Sequence, residues 1–517
     1  MSIVNRRDSS RLPRRGLPVI LGIAAGVVMA LRMFVPGPVG MADNGDGLRL
    51  MCQVGVVPSV DPTSRSALYF NHAIFNYHPV VSPPPHWCAG YPSSTVWLMR
   101  FARWVTGVFG GTGIDLRVTM AAYCVLVAAV VVAVCRLVSP GRLRQCLAAA
   151  GLVLIAGDSD FVDYLGSPFT ETAAIIGLLV LTVSAVYLIR ADIRARSRVV
   201  WLALFTLAAV LTVAAKVETV TIALPIGTFL VWRMARRAPG STRGHRCAWR
   251  TGFAMSLLIV VAAAATTYAH NPKQFAVINP TEVIFVGILG PSSDPGADLT
   301  AMGLPANFAK YAGESWWSTP APENDPDFPK IESKLTYATA GHFLATHPGR
   351  ALTIADNGAR DFWQARARYL GNYPQGAAPN LATECRLCIL SSLMTDQQKL
   401  GLVGFLLVTI ISAAAAIALM RRSRPGTTSH SLASVSLLLN ATVATQFATN
   451  AYGEAIETTK HLVLAVLSAL LCGYTLILAA TTRRDAGRDP ANVTDSPVTP
   501  PFEAHLTSSS VISGGNH

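Results

Sequence analysis

Charge is scarce in this chain. Of its 517 residues only 14% are Asp, Glu, Lys or Arg, while 51% are hydrophobic and mean hydropathy is +0.41. An ordinary soluble domain carries more charge, and a disordered chain fewer apolar residues, so both classes are excluded. Acids are scarcer than bases, 29 against 42, for a formal charge of +13. No aromatic–basic interleaving accompanies that excess, so it is not read as a base-stacking surface and no nucleic-acid partner is expected. No small-residue cleavage site follows the first apolar run, which therefore reads as a retained helix rather than a signal peptide. The pair in Cys385-Arg386-Leu387-Cys388 has no second ligand pair at the spacing of a zinc site.

What the chain has is apolar runs. Runs of about 18 or more residues read as membrane-spanning helices. They fall near 17–35, 117–138, 145–157, 172–189 and 199–214, then in a sixth run that ends near Trp232, and near 251–268, 400–420, 431–449 and 462–480. The expected fold class is an all-α polytopic membrane protein of about ten transmembrane helices. Arginines mark alternate loops: Arg6 to Arg15, Arg136 to Arg144, Arg190 to Arg198, Arg233 to Arg250, Arg421 to Arg424, and Arg483 with Arg484. Basic residues favour the cytoplasmic side, so both termini are expected inside a cell membrane.

That topology divides the chain into a basic cytoplasmic N-terminus (1–16) and a transmembrane region (17–268) containing a first outer loop (36–112). An extracytoplasmic subdomain of mixed or helical structure (269–396) follows, then C-terminal transmembrane helices (397–484). A Pro-, Ser- and Thr-rich cytoplasmic tail (485–517) is expected to be disordered. Within the first outer loop, Trp97, Phe101 and Trp104 suit a helix lying at the headgroup level. In the subdomain, Ile331, Leu335, Phe343 and Leu344, then Phe362 and Trp363, suit helices packed on the membrane region, with Pro348 between two of them. Cys52, Cys88, Cys385 and Cys388 fall outside, where thiols oxidise. Pairings Cys52–Cys88 and Cys385–Cys388 are open.

Ionisable groups recur at the outer turns: Asp43, Asp46 and Arg49; Asp158, Asp160, Asp163 and Glu171; Lys216 and Glu218; Glu454, Glu457, Lys460 and His461. Such groups at the hydrocarbon boundary cost free energy unless they pair or face water, which makes them functional candidates. Each also has a plainer explanation. Asp43 and Asp46 would hydrogen-bond a Gly turn, Asp158 and Asp160 would cap a helix, Lys216 would snorkel, and Lys460 and His461 would pair with Glu457. Together the types suit glycosyl transfer from a lipid-phosphate sugar. That reaction needs a carboxylate to deprotonate the acceptor hydroxyl and cations to hold the departing phosphate. Asp46 is the expected base, with Asp43 as its partner. Arg49, Asp158, Asp160, Glu171, Lys216, Glu457, Lys460 and His461 are the candidate substrate-binding residues.

Four stretches carry a family resemblance: Asp43-Asn-Gly-Asp46-Gly-Leu-Arg49; the run from Asp158 through Phe161, Tyr164, Ser167 and Phe169 to Glu171; Val286-Gly-Ile-Leu289 leading to Leu299 and Gly303-Leu304-Pro305; and Glu457-Thr-Thr-Lys460-His461-Leu462. With them the chain resembles the GT-C class of polyprenyl-phosphate-sugar-dependent glycosyltransferases. More narrowly, it resembles the bacterial glycan-biosynthesis hexose transferases (WsfD-like). Phe161 and Gly166 stand where that pattern has Tyr and Asn. The resemblance implies a polyprenyl-phosphate-linked sugar donor, a cell-envelope glycan acceptor and the lipid bilayer as partners. It leaves a divalent metal open, with Asp43 and Asp158 as possible ligands. The competing classes are a transporter or flippase of an envelope precursor, a polysaccharide polymerase or ligase, and a noncatalytic assembly scaffold. Consumption of a lipid-linked donor separates the enzymes from the rest.

Overall fold

The computed structural model describes residues 16–58, 69–80, 92–138, 141–236 and 243–486. The N-terminal arginines before residue 16, the Pro-rich stretch from Ser82 to Cys88 and the tail after residue 486 lie outside the described residues.

Helices occupy all ten apolar segments. In chain order the helices are α1 (Leu17–Phe34), α2 (Asp46–Cys52), α3 (Thr95–Val108), α4 (Arg117–Leu137), α5 (Arg142–Ala156), α6 (Ser159–Leu165), α7 (Glu171–Ile189), α8 (Ala195–Val213), α9 (Ala223–Ala235) and α10 (Arg243–Ala269). Besides the one-turn helix Phe328–Ile331, there follow α11 (Phe275–Glu282), α12 (Pro295–Ala301), α13 (Tyr337–Thr346), α14 (Pro348–Gln364), α15 (Ile389–Thr395), α16 (Gly401–Arg422), α17 (Thr428–Gly453), α18 (Thr458–His461) and α19 (Val463–Ala486). Among the described residues eight helices are long and apolar enough to cross a membrane. A ninth span arises if α5 and α6 count together; they bend by 64° at their junction. The short third segment of the sequence is thus a broken helix. Its break is Gly157-Asp158, where Asp158 accepts from the Asp160 N–H at 3.1 Å and caps α6. The sixth segment, α9, has 13 residues. At 1.5 Å per residue it reaches only about 20 Å, short of a full bilayer core.

Burial sorts the helices. α7 is apolar all round and its window is 89% buried, as a bundle's central helix must be. α1, α8, α10 and α16 are largely outward, with exposed rows such as Ile20, Ile23 and Val27 or Val403, Leu407 and Ile411. Apolar rows of that extent suit lipid rather than water. The protein is a multi-pass membrane protein.

The segment between α1 and α4 is not wholly helical. It holds a three-stranded antiparallel sheet of β1 (Val56–Pro58), β2 (Asn76–Pro79) and β3 (Ile114–Asp115), with Val57 opposite His78 and Tyr77 opposite Ile114. α3 forms beside it and leaves Trp97, Phe101 and Trp104 exposed. Segment 269–396 has its own apolar core of Phe285, Leu299, Phe308, Phe328, Ile331 and Phe343, among others. Phe362 and Trp363 instead join the core of the bundle. Cys385 and Cys388 form a disulfide. Cys52 is disulfide-bonded too, but Cys88 lies outside the described residues.

Candidate functional site

The Asp43–Arg49 turn is built around Asp43. Its Oδ1 accepts the N–H groups of Gly45 and Gly47, each at 2.8 Å, and so sets the entry into α2. Gly45 has φ +108°, a left-handed conformation that glycine adopts without a Cβ penalty. A Cβ on Gly47 would stand 2.2 Å from Pro168 Cγ and 2.8 Å from Asp43 Oδ2. The turn therefore needs both glycines, one for its torsion and one for space. Asp43 is buried, and burial pushes its pKa up to about 6 against the pull of its two backbone donors. Asp46, one turn position on, keeps its side chain 41% exposed.

Two ion clusters meet at that turn. In the first, Lys460 Nζ lies 2.9 Å from Asp46 Oδ2 and 2.5 Å from Glu457 Oε2. Asn44 Nδ2 donates to both oxygens of the Glu457 carboxylate, at 2.8 and 2.6 Å. These bonds stitch the Asp43–Arg49 turn to the loop before α19. Glu457 holds φ +54°, a torsion that costs a non-glycine residue free energy and is often retained at functional sites. In the second cluster Lys216 Nζ is 2.6 Å from His461 Nδ1, 3.6 Å from Glu218 and 3.7 Å from Glu171. His461 Nε2 faces Glu454 at 2.8 Å. The Lys216 contact calls for an accepting Nδ1, whereas burial is outweighed by Glu454, which pushes the His461 pKa up to about 9, so the two cations compete for the surrounding carboxylates.

The charges tune one another. Burial would raise the Asp46 pKa, but Lys460 and then Lys216 outweigh it and hold the carboxyl below its usual range. Burial would lower Lys216, yet Glu218, Glu454 and Glu171 keep it a charged ammonium. Burial and the adjacent Glu454 push Glu218 well up, so that pair favours one carboxyl and one carboxylate.

The two clusters border a cavity of about 430 Å³. Asn44, Asp46, Arg49, Lys216, Glu218, Glu454, Glu457 and His461 line it, facing Phe275, Asn279, Glu282 and Trp317 of the segment after α10. Arg49 stacks its guanidinium over Phe275 at 5.1 Å, and among the described residues no carboxylate pairs with it.

Not every expected residue reaches this cavity. Lys460, anticipated on a phosphate, is fully buried behind Asp46 and Glu457 and over the Phe169 ring at 5.0 Å. Its ammonium contacts those carboxylates instead. Glu171 is likewise buried and reaches the cavity only through Lys216 and His461. Asp158 is a double cap: Oδ1 serves α6, while Oδ2 accepts from the N–H groups of Leu390 and Ser391 at 3.0 and 3.2 Å. Asp160 is buried in α6, away from the cavity lining. Asp163 belongs to a separate buried ion cluster with Arg366 at 3.4 Å and Arg32 at 3.9 Å. Arg32 also pairs with Glu384 and bonds Ser159 Oγ at 2.8 Å, tying α1 to the end of segment 269–396. Among the described residues no group of three or more His, Cys, Asp or Glu is arranged to hold a metal ion. Asp43 and Asp158, the possible ligands, belong to separate hydrogen-bond sets.

Two residues of interest were not singled out in the sequence. Arg32 is a lone cation inside an apolar span, and Glu282 a lone acid in an apolar stretch. Isolation of that kind is itself a signal.

The model of the YfdI N-terminal transmembrane domain matches residues 6–492, nearly the whole chain, and the chain belongs to that family. No curated protein matches it.

Proposed function

We propose that the protein transfers a hexose from a polyprenyl-phosphate-linked donor to a cell-envelope glycan, on the extracytoplasmic face of the cell membrane, with both termini in the cytoplasm. The observation that carries this reading is the meeting, on one cavity, of an ionised Asp46 with Lys216, His461 and Arg49. In the proposed step the acceptor oxygen bonds the anomeric carbon and its proton passes to the Asp46 carboxylate. The bond from that carbon to the phosphate oxygen breaks, and its electron pair stays on the phosphate. Lys216 and Arg49 neutralise the charge that builds there. Lys460 and Glu457 hold Asp46 in place. The resemblance of the Asp43–Arg49 and Glu457–Leu462 stretches to WsfD-like hexose transferases of the GT-C class supports the same reading.

A transporter places its ionisable groups near the middle of the bilayer, on broken helices. Here they gather in turns at the ends of helices, which favours chemistry at a surface. The test is incubation of the purified full-length protein with a labelled polyprenyl-phosphate hexose and envelope glycan. Release of free polyprenyl phosphate with label entering the glycan is expected. Donor that stays intact under conditions where the protein is folded sinks the proposal.

A further inference from the structure

The cavity has two walls of different chemistry. The wall from the helix-end turns carries all the cationic side chains, Arg49, Lys216 and His461, among the acids Asp46, Glu218, Glu454 and Glu457. The opposite wall comes from residues 271–317 and carries Asn271, Asn279, Glu282 and Trp317, with no cation among its lining residues. Glu282 is 2% exposed. Its Oε1 accepts the Trp316 N–H at 2.8 Å, and its Oε2 has no hydrogen-bond partner. A buried carboxylate oxygen without a donor is costly unless a ligand supplies one. Trp317, next to the residue that Glu282 anchors, leaves 60% of its surface exposed at the cavity. Directly after Glu282 the backbone runs as a π-helix, Val283–Ile288, a form that recurs at functional sites.

We infer that this second wall is the acceptor subsite, where Glu282 Oε2 takes a hydrogen bond from a sugar hydroxyl and Trp317 gives the ring an apolar face. The inference rests on the transferase reading above and assigns the two halves of the cavity to the two substrates. A phosphate finds cations only on the first wall, at Lys216 and Arg49, and none on the second, where Glu282 stands. A neutral polyhydroxyl ligand suits the second wall, since its hydroxyls donate to carboxylate and amide oxygens. Glu282 also fixes the loop that presents Trp317, so the ring and the acceptor oxygen are set by one side chain. Glu282 is surrounded by Glu323, Glu454 and the Trp316 N–H, and burial pushes its pKa up to about 7.

The test uses the full-length protein in vesicles, a labelled polyprenyl-phosphate hexose and delipidated envelope glycan from cells lacking the protein. Glu282→Gln keeps an amide oxygen for the Trp316 N–H, removes the charge and turns the free acceptor into an NH2 donor. It is expected to raise the glycan concentration for half-maximal transfer by about ten- to hundredfold, the range of one hydrogen bond to a charged group. Trp317→Ala is expected to act in the same direction and Trp317→Phe to restore most of the loss. Retention of labelled donor by both variants stays at the wild-type level. Unchanged glycan dependence, or a loss of donor retention in step with transfer, overturns the assignment. A Trp317 that serves only as a headgroup anchor leaves glycan dependence unmoved and also overturns it. If the wild type neither retains nor consumes donor, the transferase reading itself has failed, a result distinct from any of these.

Discussion

Asp46→Asn separates chemistry from stability. The asparagine keeps the shape of the side chain and an oxygen for Lys460 but cannot take a proton. Lys460 keeps Glu457 at 2.5 Å, so it is not stranded. The pair that weakens has one partner 41% exposed, which limits its worth to about 1 kcal/mol or less. The loss of a general base costs about 10²–10⁴ in rate, or roughly 3 to 5.5 kcal/mol of transition-state stabilisation. The catalytic effect therefore exceeds the structural one several-fold. The assay is turnover of labelled donor by vesicles of matched protein content, beside thermal unfolding of the same preparations and retention of donor. The expected variant is folded, retains donor and turns over at least a hundredfold more slowly. Near wild-type turnover refutes the reasoning. So does a loss of turnover that follows the loss of folded protein. A loss seen instead on substituting Asp158 or Asp163 moves the base to the other acidic loop.

Three further outcomes are expected. Lys216→Ala raises the KM for the lipid-linked donor by about ten- to hundredfold, the worth of a charge-assisted hydrogen bond; unchanged donor kinetics leave Lys216 a structural residue. Asp43 has a folded pKa of about 6, above the ordinary 3.8, so the folded state binds the extra proton between those values and its stability falls as pH rises through that window. Asp43→Asn, which keeps an oxygen for Gly45 and Gly47, removes that slope; the thermal-stability gap between variant and wild type should widen from pH 4 to 6, by at most about 3 kcal/mol, and stay flat above 7. A cysteine placed at Asn307, an exposed position of segment 269–396, should be labelled by an impermeant reagent in intact cells, and protection until lysis would reverse the proposed orientation.

The helices were legible because run length and hydropathy alone specify a bilayer-crossing segment. Even the odd case was visible: the third run stops at Gly157-Asp158, and there the helix bends. The sheet was not legible. Its strands are two to four residues long, too short to show an alternating pattern. The plainer explanations held for particular residues: Asp43 does bond a Gly turn, Asp158 does cap helices, and Lys460 does pair with Glu457. Sequence places a residue at a depth along the membrane but not on a side of its turn. Lys460 and His461 are neighbours, yet one is sealed behind Asp46 and the other lines the cavity. Glu282 was missed because nothing near it in sequence carries charge, while its partners arrive from residues 316, 323 and 454.

The low proton affinity of Asp46 looks unsuited to a base, and its causes resolve the difficulty. Two ammonium groups outweigh burial and depress it, Lys460 from behind and Lys216 from the same wall of the cavity. Lys460 is buried and cannot leave its carboxylates. Lys216 is held by His461, Glu218 and Glu171 but borders the cavity, where an incoming phosphate can join those partners. A phosphate there neutralises the Lys216 charge and adds negative charge of its own, and both effects raise the Asp46 pKa. The carboxylate is then a weak base in the empty protein and a stronger one once donor is in place. Charge on the departing phosphate grows during transfer, so the rise continues as the proton arrives. On this account Lys460, sealed behind its carboxylates, fixes where Asp46 points, while Lys216, buried but bordering the cavity, makes its basicity depend on the donor.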